Sequence, residues 1–391
     1  MYRRMWWSLV AAVLLTAAVV APARAAATLT EVTGFGSNPG ALRMYSYLPT
    51  GLANNRPLVV ALHGCTQSAS DYYGHAGWPK YADLYQAALV FPEQTSANNA
   101  LSCFNWFTAG DIARGGGEAL SIKQMVDYAV AHYGSNPSKV FVTGLSAGGA
   151  MTAVMLAAYP DVFAGGGVVA GLPYNCGTVC QYQAQSKTPA QWGNLVRAAN
   201  PGYAGPWPRV AIWYGTSDTT VVPANATELR DQWTNVLGVS QTPTNTDSLP
   251  GSTTRETYGG VVQLNRVQGI AHGTPVAPGS AESQCGTTGT YYLASICSSY
   301  YLAQFWGLTG TTTPPTTTPP ATTPPTTPPT SGGSCFTASN YAHTVAGRAH
   351  QSGGYTYANG SNQAMGLWNV LITHTLRRTA DNYYVLADGQ C

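Results

Sequence analysis

The chain predicts an α/β fold built on a mostly parallel sheet with helices on both faces. Three observations predict it. Several short apolar runs show no polar alternation, as strands buried on both faces do. Segments with helical spacing separate those runs, which is the rhythm of βα units. At Gly144-Leu145-Ser146-Ala147-Gly148 an apolar run passes through a turn of small residues into a helical stretch, with a serine at the apex.

Taken from the N-terminus, Arg3 and Arg4 precede an apolar run over 6–20, and Ala23-Arg24-Ala25 follows. Charged, apolar and small residues in that order predict a cleavable export signal over 1–25. A membrane anchor is the alternative, but the run is short for a spanning helix and a cleavage site follows it. No later segment is long and apolar enough to span a bilayer. The expected location is therefore extracellular, with the protein secreted and free of the membrane after export.

Residues 26–310 form the expected α/β unit. The runs PLVVAL (57–62) and ALVFP (88–92) are continuous apolar strands. Helical spacing follows over 117–133, through Leu120, Met125, Val126, Tyr128 and Val130. The strand 140–143 leads to Ser146 and its helix. Val168-Val169-Ala170 and the run 210–214 supply further buried strands. Ligands of such sheets bind beyond the carboxyl ends of the strands, where Ser146 lies.

Residues 311–330 read TTTPPTTTPPATTPPTTPPT. They hold no core-forming side chain, and proline imposes extended polyproline geometry, so 311–333 is expected to be a linker, its twenty residues 311–330 alone able to reach about 60 Å. A disordered tail is the alternative; the cysteine-closed, aromatic-rich segment 334–391 that follows favours a tether. That last segment is short, carries Phe336, Tyr341, Tyr355, Tyr357, Trp368, Tyr383 and Tyr384, and reads as a small β-rich module relying on a disulfide. The runs 370–373 and 383–386 are its expected strands.

Composition narrows the function. Only 9% of the 391 residues are charged and the formal net charge is +2. No basic run suggests nucleic acid, and no acidic tail suggests ion buffering. A neutral surface rich in Gly, Thr, Tyr and Ala suits a solid or uncharged substrate. The eight cysteines and the export signal together predict four disulfides. Zinc is the competing reading, but no C-x-x-C pair exists and no histidine stands at ligand spacing from a cysteine pair. Connectivity is not fixed by sequence. Proximity suggests Cys176–Cys180 and Cys285–Cys297, the tail holds only Cys335 and Cys391, and Cys65–Cys103 remains. No cofactor and no metal are expected, and a monomer is the expected state.

The chemistry starts from Ser146. A serine hydroxyl is a weak nucleophile until a base takes its proton, and that base needs a carboxylate to fix its tautomer. On α/β sheets with such a turn the chain order is Ser, then Asp or Glu, then His. A plain glycine turn is the alternative, disfavoured by the strand–turn–helix context. Asp218 follows the strand 210–214 in a loop and is the expected acid. Asp161, at the far end of the nucleophile helix, and Asp231, in a helical pattern, compete less well. His272, in the small-residue loop Gly269-Ile270-Ala271-His272-Gly273, is the expected base. His132 precedes the nucleophile, and His343, His350 and His374 lie beyond the linker. The oxyanion that forms on attack needs N–H donors. The Ala147 N–H at the helix start is one; the Cys65 N–H, in His63-Gly64-Cys65-Thr66-Gln67 after the first apolar strand, is the other. His63 and Gly64 would then support that loop. Trp106 lines the substrate cleft or packs in the core.

The segments Leu62-His63-Gly64-Cys65-Thr66-Gln67, Cys103-Phe104-Asn105-Trp106-Phe107, Gly144-Leu145-Ser146-Ala147-Gly148-Gly149 and Ala271-His272-Gly273 together resemble the polyhydroxybutyrate depolymerase esterase family, which overlaps the feruloyl and acetylxylan esterases of carbohydrate esterase family one. The resemblance covers most of the first unit. It implies an α/β-hydrolase fold, Ser146, Asp218 and His272 as triad, and a bond from the oxyanion-loop cysteine to the cysteine before the Asn-Trp segment, in agreement with Cys65–Cys103. The tail segments Cys335-Phe336-Thr337-Ala338-Ser339-Asn340-Tyr341, Gly347-Arg348-Ala349 and Asn359-Gly360-Ser361-Asn362 resemble the substrate-binding domain of extracellular polyhydroxyalkanoate depolymerases.

The expected function is a secreted serine esterase acting on an insoluble polyester. The alternative keeps the chemistry and takes an ester of plant cell-wall polysaccharide. A non-catalytic binding protein would need a broken triad. A peptidase would use the same triad, but nothing in the sequence marks a peptide-binding subsite.

Overall fold

The apolar runs pair side by side in the computed structural model, which describes residues 27–309 and 335–388 apart from 353, 370–371 and 381–382. The expected export signal (1–25), the linker (311–333) and Cys391 lie outside the described residues. Two compact units divide the chain, separated within 310–334.

In the first unit, β1 (Thr30–Val32), β2 (Arg43–Tyr47), β3 (Arg56–Leu62), β4 (Ala88–Glu93), β5 (Ser135–Leu145), β6 (Gly165–Val169), β7 (Arg209–Gly215), β8 (Asn245–Leu249), β9 (Thr253–Tyr258) and β10 (Val262–Val267) form one sheet. Its order is β1-β2-β4-β3-β5-β6-β7-β10-β9-β8. The six central strands from β4 to β10 are parallel. The flanking pairs β1–β2 and β8–β9 run antiparallel to their neighbours. This is the α/β-hydrolase arrangement that the sequence implies. The flanking antiparallel strands escape a search for continuous apolar runs because part of their surface meets solvent. In Arg43-Met44-Tyr45-Ser46-Tyr47 the exposed Arg43 and half-buried Tyr45 alternate with buried Met44 and Ser46.

The helices α1 (Ala69–His75), α2 (Trp78–Tyr85), α3 (Ala109–Ile112), α4 (Gly117–Tyr133), α5 (Ala147–Ala158), α6 (Pro189–Ala199), α7 (Ala224–Val236) and α8 (Ser298–Phe305) cover both faces. Strand geometry sends alternate side chains to opposite faces. Leu58, Val60 and Leu62 of β3 therefore join one core with Ile122, Met151, Trp192 and Leu229 of α4 to α7. Val59 and Ala61 join the other, with Tyr72, Trp78 and Leu302 of α1, α2 and α8. A sheet buried twice needs strands apolar on both faces, which is why β3, β4 and β7 were legible. A short parallel pair, β11 (Thr274–Val276) and β12 (Tyr292–Ala294), follows the His272 loop.

Chain order and sheet order part company at β3, which lies between β4 on one side and β5 on the other. Crevices form at such switch points, beyond the carboxyl ends of the strands. Leu62 at the end of β3 pairs with Gly144 near the end of β5, so the loop after β3 lies beside Ser146.

Among its described residues the second unit holds two small antiparallel sheets and one helix: β13 (Cys335–Ser339), α9 (Asn340–Val345), β14 (Ala349–Ser352), β15 (Tyr355–Ala358), β16 (Ala364–Leu367), β17 (Thr373–Ala380) and β18 (Tyr383–Leu386). The expected strand 370–373 begins only at Thr373, with 370–371 outside the described residues. Its core is small: Ala349, Ala358, Met365 and Leu376, with Tyr384 and Leu386 against them. Buried Asn340 ties it together, its amide donating to the Met365 and Leu367 carbonyls at 2.7 and 2.9 Å.

Candidate active site

Ser146 occupies the turn between β5 and α5 with φ at +57°, a region that costs a residue bearing a Cβ. Two backbone bonds hold it there: its N–H donates to the Val169 carbonyl at 2.9 Å, and its carbonyl accepts from the Ala150 N–H at 2.8 Å. The flanking glycines are required by proximity. A Cβ on Gly148 would collide with the Leu62 and His63 carbonyl oxygens, and one on Gly144 with the Gly148 backbone. The strand and helix approach closely enough to lift the serine above the sheet only because those atoms are missing.

His272 and Asp218 come together 54 residues apart in sequence. His272 Nδ1 lies 2.7 Å from Asp218 Oδ2. The other carboxylate oxygen, Oδ1, accepts from the Thr220 and Val221 backbone N–H groups, both at 2.9 Å. Those two donors fix the carboxylate plane and leave one oxygen for the imidazole. Both side chains are buried, at 8% and 0% exposed. With Nδ1 engaged, Nε2 is the nitrogen left for a substrate-side proton. Asp161 is instead paired with Arg114, and Asp231 with Arg230, on the flanks of the unit.

Ser146 and His272 are walls of the same cavity, of about 350 Å³. Gly64, Cys65, Trp106, Leu172, Val221 and Tyr291 are among the other walls, and no Asp, Glu, Lys or Arg is. Trp106 does both things the sequence allowed, being 8% exposed and a cavity wall. Sequence reasoning missed Leu101, Phe107 and Tyr182, which line the cavity yet are exposed at its mouth.

The loop after β3 is held from several sides. The Gly64 N–H donates to Gln67 Oε1 at 2.8 Å, the Thr66 N–H to the Leu101 carbonyl at 2.6 Å and the Gln67 N–H to the Gly64 carbonyl at 3.3 Å. Among the described residues no acceptor meets the Cys65 N–H. The Ala147 N–H opens α5, where first-turn donors have no intrahelical acceptor and the helix presents its positive end. His63 is fully buried, with Nδ1 2.7 Å from the Gly64 carbonyl and Nε2 accepting from the Gln94 N–H at 3.0 Å. Burial pushes its pKa down to about 4. It is thus a neutral structural histidine beside the site.

Disulfides join Cys65 to Cys103, Cys176 to Cys180 and Cys285 to Cys297. The expected Cys335–Cys391 bond involves Cys391, outside the described residues. Cys176, Cys180 and Glu228 also form a close cluster of potential metal ligands, but its two sulfurs are spent in a disulfide.

One buried acid went unread. Glu118, fully buried, receives three N–H donors, and burial pushes its pKa up to about 8. Its signal was present: Glu118, Ile122, Met125 and Ala129 follow i, i+4, i+7, i+11 and all lie on the buried stripe of α4.

Comparison with known proteins gives the family of the chain. Residues 42–257 match the family model described as esterase PHB depolymerase. The chain is 49% identical over 293 residues to the poly(3-hydroxyalkanoate) depolymerase C of Paucimonas lemoignei, covering 72% of this chain and 70% of that one. It is 37% identical over 279 residues to feruloyl esterase B of Talaromyces stipitatus, covering 68% and 77%. Among solved structures, the acetyl xylan esterase from Aspergillus awamori superposes with a TM-score of 0.62 at 28% identity, over 72% of this chain and 99% of that one.

Proposed function

The chain belongs to the esterase PHB depolymerase family and is an ester hydrolase; on that premise we propose that it is a secreted depolymerase of an insoluble polyester, poly(3-hydroxybutyrate) first, working through Ser146, His272 and Asp218. The observation that carries the reading is one cavity with Ser146 and His272 in its walls and Asp218 hydrogen-bonded behind the histidine.

Ser146 Oγ attacks the ester carbonyl as His272 Nε2 takes its proton. Asp218 holds the imidazole in the tautomer with its proton on Nδ1 and stabilises the imidazolium that forms. The Cys65 and Ala147 N–H groups receive the developing oxyanion. His272 then protonates the leaving alkoxide, and the departing chain end carries a hydroxyl. Water, deprotonated by the same histidine, attacks the acyl-enzyme and releases the acid. Cavity walls without acidic or basic side chains other than His272 suit a neutral polyester chain.

The second unit is the adsorption module of this reading. Tyr341, Tyr355, Leu367, Trp368 and Tyr383 are exposed on it. The Tyr341 and Trp368 rings lie 5.4 Å apart, and the Trp368 indole N–H donates to Thr344 Oγ1 at 2.9 Å, which fixes the ring in place. A Thr/Pro tether then keeps the catalytic unit at raised effective concentration over the solid. Export by the 1–25 signal and a monomeric state complete the proposal.

The second reading, an ester of cell-wall polysaccharide, rests on the feruloyl esterase relative and has the weaker support, 37% identity against 49% for the depolymerase. A substrate panel separates them. Soluble hydroxy acid released from poly(3-hydroxybutyrate) granules, with little ferulate or acetate from xylans, is expected; the reverse pattern rejects the polyester.

A further inference from the structure

We propose that Glu118 is a positioning residue that aims the Cys65 N–H, so that one buried carboxyl group outside the cavity sets the oxyanion site. The inference rests on the oxyanion reading above. Three donors converge on the carboxyl group. Oε1 accepts from Gln94 Nε2 at 2.5 Å and Asn105 Nδ2 at 2.7 Å, and Oε2 accepts from the Asn105 backbone N–H at 2.8 Å.

Two arms leave this anchor and meet on either side of Cys65. Along the first, the Gln94 N–H donates to His63 Nε2 at 3.0 Å. That nitrogen must be unprotonated, so the ring proton is on Nδ1 and is donated to the Gly64 carbonyl at 2.7 Å. The Gly64 carbonyl and the Cys65 N–H belong to one planar trans peptide and point in opposite directions. Holding the first therefore fixes the direction of the second. Along the other arm, Asn105 Oδ1 accepts from Asn99 Nδ2 at 2.8 Å, and Asn99 Oδ1 accepts from the Leu101 N–H at 3.0 Å. The Leu101 carbonyl then accepts from the Thr66 N–H at 2.6 Å. The Cys65–Cys103 disulfide closes the same ring covalently. Misplacing a catalytic donor by about 1 Å costs on the order of 100-fold in rate, so a brace with this reach shows in kcat.

The test compares Glu118→Leu, Glu118→Gln and Asn99→Ala with the full-length enzyme on a soluble p-nitrophenyl ester, counting active sites with a phosphonate ester. Glu118→Leu is expected to lower kcat by roughly 10- to 100-fold with KM within about twofold, and to slow phosphonylation of Ser146 in parallel, because the phosphonyl oxygen takes the oxyanion position. Glu118→Gln, keeping one acceptor oxygen, should fall between. Asn99→Ala, on a loop and away from the helix core, should lower kcat in the same direction. A folded Glu118→Leu with kcat and phosphonylation rate unchanged overturns the proposal. Should that variant not fold, unchanged kcat and phosphonylation in Asn99→Ala overturn it instead. Ser146→Ala is run alongside: if it stays active, the underlying catalytic reading fails; if it is dead while the Glu118 and Asn99 variants match wild type, only the positioning role fails.

Discussion

Ser146 shows how far a single residue can be held from its local preference. Its backbone sits at positive φ, and its hydroxyl shares a cavity with an imidazole whose partner carboxylate is already satisfied by two N–H groups. His63, one loop away, is the opposite case, kept neutral by burial. That has a consequence for stability. The unfolded chain protonates this ring below about pH 6.5, whereas the folded protein resists until about pH 4. The stability it contributes is present above pH 6.5 and is lost as pH falls to about 4, on the slope of one proton. Denaturant unfolding of wild type and His63→Asn across that range checks this: the variant should lose one proton's worth of slope, and an unaltered slope contradicts a neutral His63. At this scale the His272–Asp218 pair and the cavity that His272 shares with Ser146 trace back to chain order and loop position, which left one candidate for each proposed role. Glu118 was not, because a carboxylate in the first turn of a helix ordinarily reads as a solvated partner of the helix dipole.

Elements place those residues by close approach. β3 and β5 are neighbours, and α5 is seated so tightly against the end of β3 that Gly148 has carbonyl oxygens where a side chain would be. Gly148→Ala is predicted to destabilise by about 1–3 kcal/mol and to reduce turnover, since relief requires the nucleophile turn to move away from the oxyanion loop. Thermal unfolding and kcat on a soluble ester measure both; wild-type values for both would show that the packing has slack. The Cys65–Cys103 bond closes a 38-residue separation, worth about 4 kcal/mol against the unfolded chain. Continuous apolar runs made most of the central strands readable, but β10 went unread, because Gln263, Asn265 and Arg266 interrupt its apolar pattern. The flanking antiparallel strands β1, β2, β8 and β9 were not readable in the same way. Their exposed faces carry residues such as Arg43 and Thr254, and what pairs them is tertiary context beyond local pattern.

The molecule carries a cavity with no Asp, Glu, Lys or Arg in its walls on one compact unit and exposed aromatic residues on another. Their division of labour is testable by removing 334–391. Hydrolysis of a short soluble ester should be retained within about twofold, while attack on suspended granules should fall by an order of magnitude or more as the effective concentration at the solid is lost. Equal loss on both substrates would make the second unit part of the catalytic fold. The Thr/Pro run and the change in composition after it argue for two units; the strands of the second unit were only partly legible, because short β segments in a small core depend on their partners more than on their own pattern. The central claim is that one exposed hydroxyl performs the chemistry with an imidazole as its base. Its most direct test is peptide mass spectrometry of the protein treated with a phosphonate ester. One equivalent on the peptide that carries Ser146, absent in Ser146→Ala and strongly slowed in His272→Ala, is the predicted result. Labelling elsewhere, or no labelling of an enzyme that still cleaves its polymer, would contradict the account.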